Sequence, residues 1–472
     1  MVHHRFPTTR REFLLQTGGG FGALAFSALF ARGNRGGPVR NPLAPRAPHH
    51  APKAKNVIWC FLDGGPSHID LFDPKPALKR LHGQPLPGSF QKPQTAMGVT
   101  ANNPLMASNR TFRRHGQSGA WVSDWYPEIA QCVDDLCIVR SCVADGLTHV
   151  TSLLQMNTCS LLPGRPCLGA WSVYGLGSEC DNLPGFVVLA DSNYDPPGGP
   201  QIWSNGFLPT PYQGTRFNPG ANPILYASPP AGVSMEREKG KIDFINDLNR
   251  RSARQGAATE QVESQIASYE LAYRMQTSAP EVVDFASETE ETKRLYGIDQ
   301  PHTEKNGRNC LLARRLIERG VRFVEIFMGA GSCWDAHQDL ELNHTQYCGE
   351  SDKPIAGLLK DLKRRGLLDQ TLVIWGGEFG RTPMSESGNG RDHNPYGFTM
   401  WLAGGGVKRG LTYGVTDEIG LWAVEDAVHV RDLHATVLHL LGLDHNELKF
   451  LHNGREEIAT GVGGTVVRDI LA

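Results

Sequence analysis

Asn56-Val57-Ile58-Trp59-Cys60-Phe61-Leu62-Asp63-Gly64-Gly65 is the stretch that decides the fold. Its apolar run is unbroken from Val57 to Leu62 and closes on Asp-Gly-Gly. A strand with one wet face alternates polar and apolar residues, so a continuous run reads as a strand covered on both sides. Similar runs recur at Leu136 to Val139, Phe186 to Ala190, Phe323 to Phe327, Leu372 to Trp375 and Thr399 to Ala403. Helical patterns lead into two of them. Asn309 to Arg319 stops at Gly320 before Val321 to Phe327, and Ile355 to Arg365 stops at Gly366 before Thr371 to Trp375. Repeated helix-to-strand units predict an α/β fold, a doubly wound and mostly parallel sheet with helices on both faces.

In such a sheet the ligand crevice lies beyond the carboxyl ends of the strands. Four segments rich in Asp, Glu and His fall at or near predicted strands. Asp63 ends the first, inside Leu62-Asp63-Gly64-Gly65-Pro66-Ser67-His68-Ile69-Asp70. Trp334-Asp335-Ala336-His337-Gln338-Asp339 follows the strand ending at Phe327. Gly377-Glu378-Phe379-Gly380-Arg381 follows Trp375, and Arg391-Asp392-His393-Asn394-Pro395 precedes the strand near Thr399. A lone Asp in any of these reads better as a turn or capping residue. Four together argue for a metal site, because mixed carboxylates and imidazoles suit a divalent cation such as zinc or manganese, with calcium a further candidate.

Composition narrows the partners. The 472 residues carry 47 basic and 49 acidic side chains, a formal charge of −2. Bulk electrostatics therefore give no support to a nucleic-acid or anionic-membrane partner, and any anion site must be local. The ten cysteines include no C-x-x-C pair, which excludes a zinc ribbon, and Cys60 and Cys137 sit in apolar runs as core residues. Thr9-Arg10-Arg11-Glu12-Phe13-Leu14-Leu15 opens a moderately apolar run to about Ala31 that resembles a twin-arginine export signal. Gln16 and Gly18 to Gly20 interrupt it, so no stable membrane span is expected. The expectation is export as a folded protein by the twin-arginine translocase, to the periplasm or cell surface. Residues 32–54 read as a flexible linker and 55–472 as one domain. Within it, 234–298 reads as a helical insertion, a hairpin or cap over the main sheet, with Val262, Ile266, Tyr269 and Tyr273 sharing one helix face.

The order of these parts resembles the alkaline phosphatase superfamily, which includes phosphatases, sulfatases, phosphodiesterases and cofactor-independent phosphoglycerate mutases. The resemblance implies metal-ligand roles for Asp63, for the pair Asp335 and His337, for Glu378 and for His393, with Phe379 standing where relatives keep a His or Asn. Asp432 to Leu443 is similar to the superfamily's terminal helix. A nearer likeness, over residues 54 to 472, is to exported sulfatase-like proteins grouped as a domain of unknown function. It rests on Gly65-Pro66-Ser67-His68-Ile69-Asp70-Leu71-Phe72-Asp73-Pro74-Lys75-Pro76, on Gly377-Glu378-Phe379-Gly380-Arg381-Thr382-Pro383 and on Leu443-Asp444-His445.

The superfamily nucleophile sits at a helix start about nine residues before a Thr-Gly pair. Thr158-Cys159 stands in for that pair here, and counting back reaches His149. No C/S-x-P-x-R pentapeptide is present, so an ordinary formylglycine sulfatase is not expected. His149 is then a metal ligand, a phosphohistidine nucleophile or a helix cap, with Thr151 and Ser152 as hydroxyl alternatives. Arg381 and Arg165 are candidate partners for a phosphate or sulfate oxygen, or members of structural salt bridges. The function implied is metal-dependent hydrolysis of an anionic ester, such as a sulfated or phosphorylated carbohydrate. The alternatives are a metal-containing binding protein without turnover, and a phosphotransferase or mutase working through His149.

Overall fold

The apolar run after Asn56 forms β1 (Asn56–Phe61), buried over Val57 to Phe61. This computed structural model describes residues 41–472 apart from 97, 191–194, 219–232, 255–258 and 330. The export signal lies outside the described residues, as does most of the linker's first half, and the folded body is the unit Pro42–Ala472.

In the main sheet, the strands after β1 are β2 (Leu136–Val143), β3 (Phe186–Ala190), β4 (Thr215–Phe217), β5 (Phe323–Phe327) and β6 (Thr371–Gly376). A hairpin of β7 (Gly380–Glu386) and β8 (Gly390–Asn394) comes next, then β9 (Phe398–Ala403), β10 (Leu411–Tyr413) and β11 (Val428–His429). The nine-stranded sheet has the order β10-β2-β9-β6-β1-β5-β3-β4, with β11 also paired to β2. β1 lies parallel to both β5 and β6, so Cys60 is level with Ile326 on one side and Trp375 on the other. β9 runs antiparallel to β2 and β6, and the remaining pairs of the sheet are parallel.

The helices that frame the sheet are α1 (His149–Thr158), α2 (Leu168–Leu176), α3 (Met235–Arg254), α4 (Thr259–Val283), α5 (Glu304–Glu318), α6 (Leu340–Arg364) and α7 (Val430–Leu440). Alternation along β1 and β5 puts Trp59 and Glu325 on one face of the sheet and Cys60 on the other. Cys167, which caps α2, feels the Glu325 carboxylate, whereas Cys310 of α5 meets Cys60. α2 and α5 therefore cover opposite faces, the doubly wound arrangement that continuous apolar strands require.

Three expectations need correction. α6 begins at Leu340, well before Ile355, because Leu340, His344 and Cys348 continue a buried stripe ahead of Pro354. The buried face of α4 is Ile266, Ala267, Leu271 and Met275, while Tyr269 is exposed. The α3–α4 hairpin rests chiefly on α5 and on the turn at Thr210–Tyr212. Finally, residues 42–54 are not a loose linker. Leu43 and Ala54 are buried, and the N–H groups of His49, His50, Lys53 and Ala54 donate to the carbonyls of Gly442 and Leu440. The segment answers carbonyls that the end of α7 leaves without helical partners.

One residue violates the rules of such a core. Glu325 lies mid-strand between Trp59 and Val188, fully buried, with no hydrogen-bond partner for Oε1. Burial pushes its carboxyl up from 4.5 to about 8. Between those values the folded chain holds a proton that the unfolded chain has released, so stability falls as pH rises. Glu325→Gln should match the native protein in urea unfolding at about pH 4, below the ordinary carboxyl value. At about pH 8.5 it should be more stable by at least ~1 kcal/mol, since a tenfold change in proton affinity corresponds to ~1.4 kcal/mol. Equal stabilities at the higher pH would show that Glu325 is ionised or hydrated in the fold.

Candidate metal centre

β1 ends in a turn that organises everything beyond it. Gly64 has φ +113°, and a Cβ there would sit 2.5 Å from the Asp335 nitrogen and 2.7 Å from that of Trp334. Only glycine lets the loop after β5 come this close. Asp63 fastens the same loop: its Oδ2 accepts the Ser332 N–H at 2.7 Å and its carbonyl accepts that of Trp334 at 3.2 Å. Glu378, fully buried between β6 and β7, accepts the Gly64 N–H at 2.9 Å.

Arg381 of β7 is fully buried as well. Its Nε donates to the Gly65 carbonyl at 2.8 Å and its Nη1 to that of Arg391 at 3.1 Å. Its Nη2 donates to the Gly64 carbonyl and, at 2.7 Å, to Asp335 Oδ1. These bonds engage the guanidinium inside the fold, which corrects its expected role as an open partner for substrate oxygens. Arg165 is likewise held in a structural pair, with Glu457 at 2.7 Å and the Ile458 carbonyl at 2.6 Å.

Around Asp335 three imidazoles converge. Its Oδ2 is 3.0 Å from His149 Nε2, and its Oδ1 is 3.0 Å from His337 Nε2 and 3.3 Å from His393 Nε2. The last two nitrogens are 3.1 Å apart. His149 comes from the start of α1, His337 from the loop before α6 and His393 from β8. Each ring's other nitrogen has an acceptor: His149 Nδ1 meets Glu378 Oε1 at 2.7 Å, His337 Nδ1 meets Glu386 Oε2 at 2.5 Å, and His393 Nδ1 meets the Leu147 carbonyl at 2.8 Å. An Nδ1–H donated outward leaves the Nε2 lone pair pointing inward, the tautomer that metal-ligating histidines adopt. His149 Nε2 is buried and makes no well-formed hydrogen bond, despite its closeness to Asp335. Three inward nitrogens and a carboxylate within one coordination radius fit a divalent cation.

Protons compete for the same place. Burial alone lowers the His149 imidazole, but Asp335 and Glu378 outweigh it and lift its pKa to about 9. The bond to Asp335 also raises His337, against burial. His393 falls below the usual imidazole value because burial, with Arg381 and His149, outweighs Asp335. Burial opposes ionisation of Asp335, yet the three imidazoles beside it and the charge of Arg381 hold the carboxyl far below its ordinary range.

Asp335, His337 and His393 are thus gathered as expected, and His149 joins them. Asp63 and Glu378, expected as ligands, fall outside the group of four converging donors: Asp63 Oδ2 accepts the Ser332 amide and Glu378 accepts that of Gly64. Phe379 stacks on His393 at 4.3 Å, and its centroid is 5.2 Å from that of His149. Among the hydroxyl alternatives, Ser152 is buried against Gly146, whereas Thr151 stays near the surface, 3.0 Å from the Thr148 hydroxyl. The sequence reading missed Glu386. Its signal was the Ser387-Gly388-Asn389-Gly390 turn, which folds β7 onto β8 and sets Glu386 opposite Gly390.

The family described as "Protein of unknown function (DUF1501)" matches residues 54–471. No curated protein matches the chain. Among solved structures, an alkaline phosphatase from the Antarctic bacterium TAB5 is 12% identical, with a TM-score of 0.33 over 82% of this chain and 98% of that one. A sulfatase from Pseudoalteromonas sp. is 12% identical, with a TM-score of 0.36 over 83% and 68%. A lipoteichoic acid synthase from Listeria monocytogenes is 10% identical, with a TM-score of 0.33 over 90% and 80%.

The outer acceptors give the geometry a direct test. Glu386→Gln should weaken zinc binding by ~10–100-fold in competition with a chelator, because the His337 ring loses its carboxylate anchor. Unchanged affinity would remove Glu386 and His337 from the centre.

Proposed function

The chain belongs to the DUF1501 family, and from that premise we propose that it is a metal-dependent hydrolase of phosphate or sulfate esters. The convergence of three Nε2 atoms on Asp335 carries the reading. His149, His337, His393 and Asp335 would hold the ion. Three nitrogen donors favour zinc or manganese over calcium, which prefers oxygen. When bound, the cation polarises an ester oxygen and activates water.

The chain's own residues supply the rest. Glu378, Glu386 and the Leu147 carbonyl orient the three rings. Arg381 holds Asp335 from behind. The first turn of α1, beginning at His149, directs free N–H groups toward an incoming anion. A phosphohistidine at His149 fits less well, because Nδ1 is tied to Glu378 and Nε2 faces the other donors.

Export completes the proposal. A twin-arginine route carries folded proteins, so the ion would be acquired before translocation. No helix among the described residues is long and apolar enough to cross a membrane.

The test is turnover of a panel of para-nitrophenyl phosphates and sulfates by zinc- or manganese-loaded protein. Activity should vanish on chelation and return with metal. His149→Ala should lose metal and turnover together, whereas full metal with lost turnover would reinstate His149 as nucleophile. A fully loaded protein that hydrolyses nothing would be a binding protein.

A further inference from the structure

We infer that this site acts on a polyanionic polysaccharide, one chain bearing many sulfate or phosphate esters, and that residues 74–123 hold the chain beside the metal centre. The inference rests on the hydrolase reading above and adds the class of molecule that carries the ester.

Residues 74–123 depart from the charge balance of the protein. They contain Lys75, Lys79, Arg80, Lys92, Arg110, Arg113 and Arg114 and no Asp or Glu, in a chain whose 49 acidic side chains outnumber its 47 basic ones. Lys75 pairs with Asp73 at 3.0 Å, and Arg110 pairs with Glu341 at 2.8 Å and Asp124 at 3.7 Å. Lys79, Arg80, Lys92, Arg113 and Arg114 are exposed and make no ion pair among the described residues. Lys92 donates to the Asn102 amide oxygen, and the Arg114 guanidinium lies over the Trp121 ring at 5.1 Å. Asp134 accepts the N–H groups of Gln117 and Ser118, and Asp339 that of Asn389 Nδ2. Counted as full negative charges, these two neighbours offset only part of the cationic excess.

The segment adjoins the centre. The Ser385 N–H donates to the Pro104 carbonyl at 2.9 Å, the Met106 N–H to that of Pro383 at 2.8 Å, and Asn103 Nδ2 to that of Ser385 at 2.9 Å. The next residue is Glu386, which anchors His337. A cavity of about 330 Å³ opens here, with His82, Met106 and Asn109 on one side and Asp339, Leu342 and Asn389 on the other. Asp339 lies just beyond His337 in the chain, and Asn389 just beyond Glu386. Its charged wall, Asp70 and Arg391, is a closed ion pair at 2.8 Å. Two amides and a carboxylate offer the donors and acceptors that sugar hydroxyls require. A neutral part of the chain next to the cleaved ester enters this cavity, while ester groups further along meet the free cations. One exposed ion contact contributes little, but several engaged by one chain act together. A small ester engages none of them.

The experiment compares the zinc-loaded full chain with a variant carrying Lys79→Ala, Arg80→Ala, Lys92→Ala, Arg113→Ala and Arg114→Ala, after zinc content and melting are measured for both. At about 50 mM sodium chloride, dextran sulfate or phosphorylated dextran should bind the native chain at least ~10-fold more tightly than the variant, an advantage that shrinks as salt rises. The KM for ester release from the polymer should rise by a similar factor with kcat unchanged, while kcat/KM for para-nitrophenyl sulfate or phosphate stays the same. The more tightly bound polymer distinguishes sulfate from phosphate. Should the fivefold variant melt early, Lys79→Ala/Arg80→Ala and Arg113→Ala/Arg114→Ala made separately should each show part of the loss. Equal polymer binding by native and variant chains, or single-stranded DNA of matched charge binding more tightly than either dextran, overturns the inference while leaving hydrolysis intact. Polymer binding that depends on the five cations, with turnover of no ester by loaded protein, overturns the hydrolase reading and the substrate role drawn from it.

Discussion

The buried guanidinium of Arg381 holds the site together. An unpaired charge in a core is costly, and it is tolerated only where its N–H groups find acceptors. Here the acceptors come from three places far apart in the chain: the turn after β1, the loop after β5 and strand β8. Satisfying one side chain therefore fixes the relative positions of all three. Asp335 is the anionic member of that set, and its carboxylate in turn sets where three imidazoles can come together. The order of dependence runs from strand packing to glycine turn, to Arg381, to Asp335, and last to the histidines.

Much of this was legible in the sequence, for reasons that are physical. Continuous apolar runs can only be strands covered on both faces, so β1, β3, β5, β6 and β9 could be placed within a residue or so of their observed bounds. Strand ends in a parallel sheet point to one edge, so Asp335, His337 and His393 could be expected to meet. What a one-dimensional reading cannot give is side-chain direction. Glu378 and Arg381 sit at the right edge, yet both turn inward to backbone partners. Glu386 was overlooked because its role depends on a hairpin register set by the turn at Gly388. The docking of residues 42–54 was hidden for another reason, since it is driven by main-chain hydrogen bonds to the end of α7 and leaves no apolar period.

The outer acceptors make the centre more than a collection of ligand-type residues. A histidine with no partner on Nδ1 samples both tautomers and several ring orientations. Rings tied to Glu378, Glu386 and the Leu147 carbonyl present the same nitrogen to the same point before any ion arrives. The same glutamates make the surroundings anionic, so affinity for a cation and tolerance of an anionic substrate are set by one group of side chains and pull in opposite directions.

X-ray absorption at the zinc edge of the zinc-loaded protein tests the central claim most directly. The expected spectrum is that of one zinc environment with three imidazole nitrogens at about 2.0–2.1 Å and oxygen in the remaining positions. A spectrum that lacks imidazole scattering and fits oxygen ligands alone would contradict the histidine centre, and would place any bound metal on the carboxylates outside the cluster.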